Sequence, residues 1–201
     1  MYVTCLDLEG VLVPEIWIAF AEETGTEELK LTTRDIPDYD VLMKKRIGIL
    51  KEHNLTLTDI QNTINKIDPL PGAKEFLDEL RSLCQVIILS DTFTQFAAPL
   101  MKKLCMPSIF CNELIIDKND MIVDYKLRQE NGKYHAIKAL QSIGFKTIAS
   151  GDSFNDLGMI GQAEKGFLFC PPEHIEKEYS QYKTYKDYAG LLSAIKTTIA
   201  E

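Results

Sequence analysis

Residues 3–10, VTCLDLEG, are a short apolar run that ends in two acids and a glycine. Bounded by Gly10, the run predicts a buried strand whose carboxyl end opens into a loop. Beyond the turn at Pro69, Leu70, Pro71 and Gly72 the pattern alternates between helix and strand. Helices are expected at 73–83 (AKEFLDELRSL), 93–104 (FTQFAAPLMKKL), 135–143 (HAIKALQSI), 155–163 (NDLGMIGQA) and near 186–199, and strands at 85–91 (QVIILSD), 108–111 (SIFC), 146–152 (KTIASGD) and 166–170 (GFLFC), with a polar hairpin around Asn119 and Asp120. That rhythm implies a parallel sheet, in which ligands bind at the carboxyl ends of the strands.

Residues 14–65 have a different texture and read as helical throughout. IWIAFAEETG is a helix closed by Gly25, DYDVLMKKRIGILKEHN has helical apolar spacing at Val41, Leu42, Ile47 and Leu50, and TDIQNTINKI opens with Thr58 as its cap. The expected architecture is α/β: a three-layer, Rossmann-like parallel-sheet core (1–12 and 72–201) with a small helical cap (13–71) inserted after the first strand.

Composition narrows the function. A net charge of −8 opposes non-specific attachment to nucleic acid or to anionic membranes. The longest apolar stretches, IWIAF and VIIL, fall far short of the roughly 20 residues a membrane-spanning helix needs. The opening MYVTCLDLEG lacks the basic and apolar regions of a secretory signal, so a cytoplasmic location is expected. The five scattered cysteines, with no CxxC pair, read as small reduced core residues. His53, His135 and His174 lack metal-ligand spacing and read as surface or cap residues. The cluster Ile16, Trp17 and Phe20 reads as packing.

The chemistry concentrates at strand ends: Asp7 and Glu9, Ser90 with Asp91, Lys133, and Asp152 with Asp156. A carboxylate nucleophile attacking phosphorus must approach an anion, so it needs a divalent cation held by further oxygen ligands, and Mg²⁺ suits them. The transferring phosphoryl group spreads charge over three oxygens, which a hydroxyl, backbone N–H groups and an ammonium can meet. Ser90, the Gly10 loop and Lys133 fit those roles. Singly, Asp7 and Asp152 would be ordinary strand-end acids; as an ordered set on an alternating pattern they are not.

DLEGVLVPE at 7–15, ILSDT at 88–92, Lys133 and GDSFND at 151–156 resemble, in order and spacing, the four motifs of the haloacid dehalogenase superfamily. Within it the helical insert resembles the cap of phosphoserine phosphatases, and the chain as a whole most resembles the bacterial bifunctional group that also transfers phosphate from phosphoserine to homoserine. The resemblance implies an aspartyl-phosphate on Asp7, and Mg²⁺ held by Asp7, the Glu9 carbonyl and Asp152 with Asp156 supporting its shell. Glu9 would be the acid and base. Ser90 and Lys133 would hold the phosphoryl oxygens, Glu15 the substrate ammonium and Arg46 its carboxylate, with Asp91 and Asn155 near the substrate. It also implies roles in serine and threonine biosynthesis, with O-phosphoserine and homoserine as small-molecule partners; the oligomeric state, homodimer included, stays open.

Two departures from the wider phosphatase pattern stand out: Glu9 in place of a second aspartate, and Asp91-Thr92 where two glycines are usual. Bland readings compete at several positions. Glu15 after Pro14 suits the first turn of any helix, Arg46 lies in a charge run with Lys44 and Lys45, and Asn155 and Asp156 could simply cap a helix. Rival functions are a phosphatase for another small monoester and a phospho-aspartate signalling domain.

Overall fold

The computed structural model describes residues 1–32, 35–36 and 38–201. Its elements run β1 (Tyr2–Leu6), α1 (Ile16–Thr24), a 3₁₀ turn (Glu27–Lys30), α2 (Tyr39–Glu52), α3 (Leu57–Ile64), α4 (Ala73–Leu83), β2 (Gln85–Phe93), α5 (Thr94–Lys103), β3 (Ser108–Ile116) and β4 (Ile122–Lys126). They continue as α6 (Gly132–Ser142), β5 (Lys146–Gly151), a 3₁₀ turn (Phe154–Asp156), α7 (Leu157–Gln162), β6 (Lys165–Phe169), α8 (Glu173–Glu178), β7 (Lys183–Tyr185) and α9 (Tyr188–Ala200).

The strands form one sheet in the order β4-β3-β2-β1-β5-β6-β7, parallel except for the β3–β4 hairpin. β1 pairs with β2 on one side and β5 on the other, so the strand order reverses about β1: β2–β4 are laid down on one side of it and β5–β7 on the other. That reversal opens the crevice in which such sheets bind ligands, and Asp7 is its first residue. Alternate residues of the strands face two layers. Val3, Cys5 and Ala149 pack with Ile137 of α6 and Ile160 of α7, while Leu6 and Ile88 face the other way, toward α4, α5 and α9.

The helical segment after β1 shares this second core: Phe20, Met43, Leu50 and Ile60 pack in one apolar cluster with Phe93, Phe96 and Leu100. It is also fastened to the hairpin, because Asp120 accepts from the backbone of Leu57 (2.9 Å, through its carbonyl) and of Thr58 (2.9 Å, through its side chain). Tyr125 of β4 donates to Asp40 at 2.8 Å.

Some sequence expectations change. The cap of α3 is Thr56, in a reciprocal capping box with Asp59; Thr58 lies inside the first turn, where its N–H donates to Asp120. Short α8 and β7 were not foreseen; six and three residues are too few to show a hydrophobic period. Cys105 and Cys170 are exposed, both in left-handed backbone past the end of an element, so only Cys5 and Cys111 are fully buried. Among the described residues no helix is long and apolar enough to cross a membrane.

Candidate active site

The loop after β1 is held from both ends. Leu8, Val11, Leu12 and Val13 are fully buried, Gly10 N–H donates to the Val13 carbonyl at 2.9 Å, and Tyr188 of α9 donates to the Val11 carbonyl at 2.6 Å. Gly10 has φ +76°, and a Cβ there would lie 2.6 Å from the Asp152 carboxylate, so glycine is required twice over. Gly151 likewise leaves room for Asp156, whose Cγ would be 2.2 Å from an added Cβ.

At the centre lies Lys133, buried in the first turn of α6. Its ammonium reaches Asp156 Oδ1 at 2.6 Å, Asp7 Oδ1 at 2.9 Å and Asp91 Oδ2 at 3.7 Å. The other oxygen of Asp156 accepts from the backbone N–H groups of Asp152 and Ser153, both at 3.0 Å, and from the Ser153 hydroxyl at 3.2 Å. Asp156 therefore positions both the lysine and the Asp152 turn, beyond merely capping a helix. Asp7 is fixed by its own N–H to the Ser150 carbonyl (3.0 Å) and by the Leu8 N–H to its Oδ1 (2.8 Å).

Burial, then the Asp156 charge, pushes the Asp7 carboxyl well above its usual range against the pull of Lys133. Burial pulls the Lys133 ammonium down, but Asp156, Asp7 and Asp91 outweigh it and hold it well above its ordinary value. Three buried carboxylates, Asp7, Asp152 and Asp156, offer oxygens within 4.8 Å of one another, and the Lys133 ammonium reaches two of them, Asp7 and Asp156. An all-oxygen, over-acidic set of this kind fits a hard divalent cation.

Ser90 and Thr92 on β2 are both buried and both line the cavity described below, with Thr92 N–H donating to the Ser90 hydroxyl at 3.2 Å. The Asp91 carbonyl accepts from Tyr39 (3.2 Å) and Asn112 (3.1 Å), and its carboxylate accepts from Asn155 Nδ2 at 2.7 Å.

Over these strand ends stands the helical segment. Glu15 is the N-cap residue of α1 in extended backbone, one position earlier than a first-turn acid, and makes no capping bond. The bond is made by Glu9, whose Oε2 accepts the Ile16 N–H at 2.8 Å. Burial, then Glu15, pushes the Glu9 carboxyl up to about 7, while the Ile16 N–H, Arg46 and Thr92 pull it back. The extra methylene of Glu9 thus has a structural use: it reaches a helix N-terminus that an aspartate would not.

Arg46 is buried rather than a member of a solvated charge run. It lies over the Trp17 ring at 4.5 Å and donates through Nη2 to the Leu31 carbonyl at 2.8 Å, and burial lowers it to about 10. Its Nε has no partner among the described residues. One cavity of about 440 Å³ is lined by Asp7, Glu9, Glu15, Arg46, Ser90, Asp91, Lys133, Asp152 and Asn155; Asp156 stands directly behind it. The same cavity is lined by Thr92, half of the Asp91-Thr92 departure, and by Trp17 and Tyr39, of which the sequence assigns Trp17 only to packing; nothing local marks Trp17 or Tyr39 as cavity residues.

A family model described as haloacid dehalogenase-like hydrolase matches residues 5–164. The chain is 53% identical over 95% of its length to the phosphoserine phosphatase ThrH of Pseudomonas aeruginosa, covering 93% of that protein. It is 54% identical over 90% of its length to a phosphoserine phosphatase of Pseudomonas syringae, covering 76% of it. Among solved structures, a phospho-aspartyl intermediate analogue of phosphoserine phosphatase superposes with a TM-score of 0.77 at 24% identity, covering 96% of this chain and 97% of that one, which shows the shared fold.

The charge imbalance makes a test independent of turnover. Mg²⁺ at about 100 times its Kd should stabilise the folded protein by about 2.7 kcal/mol, a Tm rise on the order of 5 to 10 °C for a chain of this size. Differential scanning calorimetry should show that rise in the wild type and lose most of it in Asp152→Asn. An equal rise in both would place the cation elsewhere.

Proposed function

The chain belongs to the haloacid dehalogenase-like hydrolases, and from that premise we propose that it is a Mg²⁺-dependent phosphoserine phosphatase that can also hand the phosphoryl group to homoserine. The observation that carries the proposal is the composition of this cavity: an acid, ammonium and hydroxyl set suited to a phosphoryl group from the core, and an opposite-charge pair, Glu15 and Arg46, suited to an amino acid from the helical segment. The relatives that are phosphoserine phosphatases by name support the same substrate.

In this reading Asp7 attacks the phosphorus of O-phosphoserine, forming an aspartyl-phosphate and releasing serine. Lys133, 2.9 Å from Asp7, and the buried Ser90 of the same cavity meet the phosphoryl oxygens. Mg²⁺, held by Asp7, Asp152 and the Glu9 carbonyl, would supply compensating positive charge. Glu9, poised near neutrality, gives a proton to the departing serine and takes one from the incoming alcohol or water. Glu15 meets the substrate ammonium and Arg46 its carboxylate, and Asp91 and Asn155 close the side of the cavity through their mutual hydrogen bond. The helical segment 13–71 acts as the cap that excludes water while the core, 1–12 and 72–201, carries the phosphoryl chemistry. With these substrates the enzyme would serve the formation of serine and threonine.

Losing a buried, charge-assisted carboxylate contact costs about 2 to 4 kcal/mol of transition-state binding. Steady-state kinetics of Arg46→Ala should show a far larger fall in kcat/KM for phosphoserine than for p-nitrophenyl phosphate, which lacks a carboxylate. Equal losses would make Arg46 structural.

Acceptor choice depends on where the residue 9 carboxylate stands. A shift near 1 Å can change a proton-transfer step by on the order of a hundredfold, and Glu9→Asp withdraws the group from the α1 terminus toward Asp7. With homoserine held constant, the ratio of free phosphate to phosphohomoserine should rise in Glu9→Asp. An unchanged or lower ratio in a variant that still consumes phosphoserine would remove Glu9 from control of the acceptor.

A further inference from the structure

The loop that carries Glu9 is tied to the last helix of the chain by one side chain. The carbonyls of Leu8, Leu12 and Val13 accept backbone N–H groups, from Leu12 and Val13, from Leu70 and from Gly10 respectively, at 2.8 to 3.1 Å. The carbonyl of the fully buried Val11 accepts instead the hydroxyl of Tyr188, at 2.6 Å. Tyr188 is the first residue of α9, whose start is fixed by the Asp187 side chain accepting the Gly190 N–H at 2.7 Å.

The ring of Tyr188 is held as well as its hydroxyl. It stacks on Phe76 of α4 (centroids 4.9 Å apart, planes at 23°) and on Phe169 at the end of β6 (4.7 Å, 22°). Phenylalanine would make the same stacks, so what tyrosine adds is the donor. Burial, then Cys170, pushes its ionisation above the ordinary value, which keeps the hydroxyl protonated. Apolar side chains also hold the loop to the core, but their packing is non-directional, whereas a short hydrogen bond fixes where the backbone stands.

Asp7 is set independently of this tie. Its carboxylate meets the Leu8 N–H and Lys133, and its backbone N–H the Ser150 carbonyl of the neighbouring strand. The Glu9 backbone instead bridges to Val13, and its Oε2 accepts from Ile16, so main chain and carboxylate both follow the course of the loop, with Thr92 of β2 beside the carboxylate. We propose that Tyr188 is a positioning residue: its hydroxyl, bonded to the Val11 carbonyl, fixes the loop after β1 and with it the place of Glu9 relative to Asp7. This rests on the reading of Asp7 and Glu9 as the reacting groups and adds to it a residue from the opposite end of the chain.

Tyr188→Phe removes one oxygen and keeps the stacks; Phe76→Leu weakens a stack and keeps the hydroxyl. Because a misplacement near 1 Å can cost on the order of a hundredfold, kcat of Tyr188→Phe for phosphoserine should fall about tenfold or more at a temperature where it is folded, with KM changed by less than about threefold, since Arg46, Ser90 and Lys133 lie on other elements. Phe76→Leu should lower Tm and keep kcat within about twofold. Hydrogen exchange read by mass spectrometry should quicken about tenfold or more across residues 10–13 in Tyr188→Phe, while residues 3–6 of β1 keep their wild-type protection. Wild-type kcat in Tyr188→Phe, an equal fall of kcat in both variants, or exchange that quickens equally in β1 would overturn the assignment. A wild type that does not turn over phosphoserine would defeat the reading of the reacting groups, and exchange across residues 10–13 alone would then decide whether Tyr188 holds the loop.

Discussion

The arrangement depends on one buried ammonium. Lys133 lies 2.6 Å from Asp156 and 2.9 Å from Asp7, and without it two buried carboxylates would face each other with no counter-charge. Removing one partner of such a group typically costs 3–5 kcal/mol. The sheet makes the meeting unavoidable. β1 and β5 are neighbours in register, so Asp7 and Asp152 emerge side by side, and α6 delivers its first turn to the same edge. Glycines at 10 and 151 then remove the Cβ atoms that would block the approach. The excess of carboxylate over ammonium is what makes the site a fit for a divalent cation and an anionic substrate together.

The helical segment is joined to this centre by a second set of contacts that also run through single side chains. Glu9, on the loop after β1, ends on the first N–H of α1. Trp17 of α1 touches Phe96 of α5 on one side and Arg46 of α2 on the other. Tyr39, at the start of α2, bonds the backbone of Asp91 on β2. Glu15 and Arg46 are thus held on helices that touch the loop after β1, α5 and the strand carrying Ser90 and Thr92.

Much of this was legible before any coordinates. The apolar run into Asp7, the alternation beyond Gly72 and the acids at successive strand ends specify a parallel sheet with a crevice at β1, because strand burial and the switch-point rule act on local pattern. Asp7, Ser90, Lys133 and Asp152 were nominated by that logic and lie together. What stayed hidden depends on distant partners. Thr58 resembled a cap, but the helix begins one residue earlier on the Thr56–Asp59 box, and Asp120, from a hairpin far along the chain, takes the Thr58 N–H. Glu15 resembled a helix-dipole acid, yet the capping bond comes from Glu9. Arg46 resembled one of three solvated cations and is buried on an aromatic ring that belongs to another helix. Local periodicity holds no record of such pairings.

The central claim is that Asp7 carries the phosphoryl group, and acid-quenched single turnover with ³²P-labelled phosphoserine and Mg²⁺ addresses it directly. Peptide mapping of the quenched protein should find the label as an acyl phosphate, released by hydroxylamine, on the peptide containing Asp7, and Asp7→Asn should form none. Label on Ser90, or serine released at full rate from a protein that is never labelled, would contradict it.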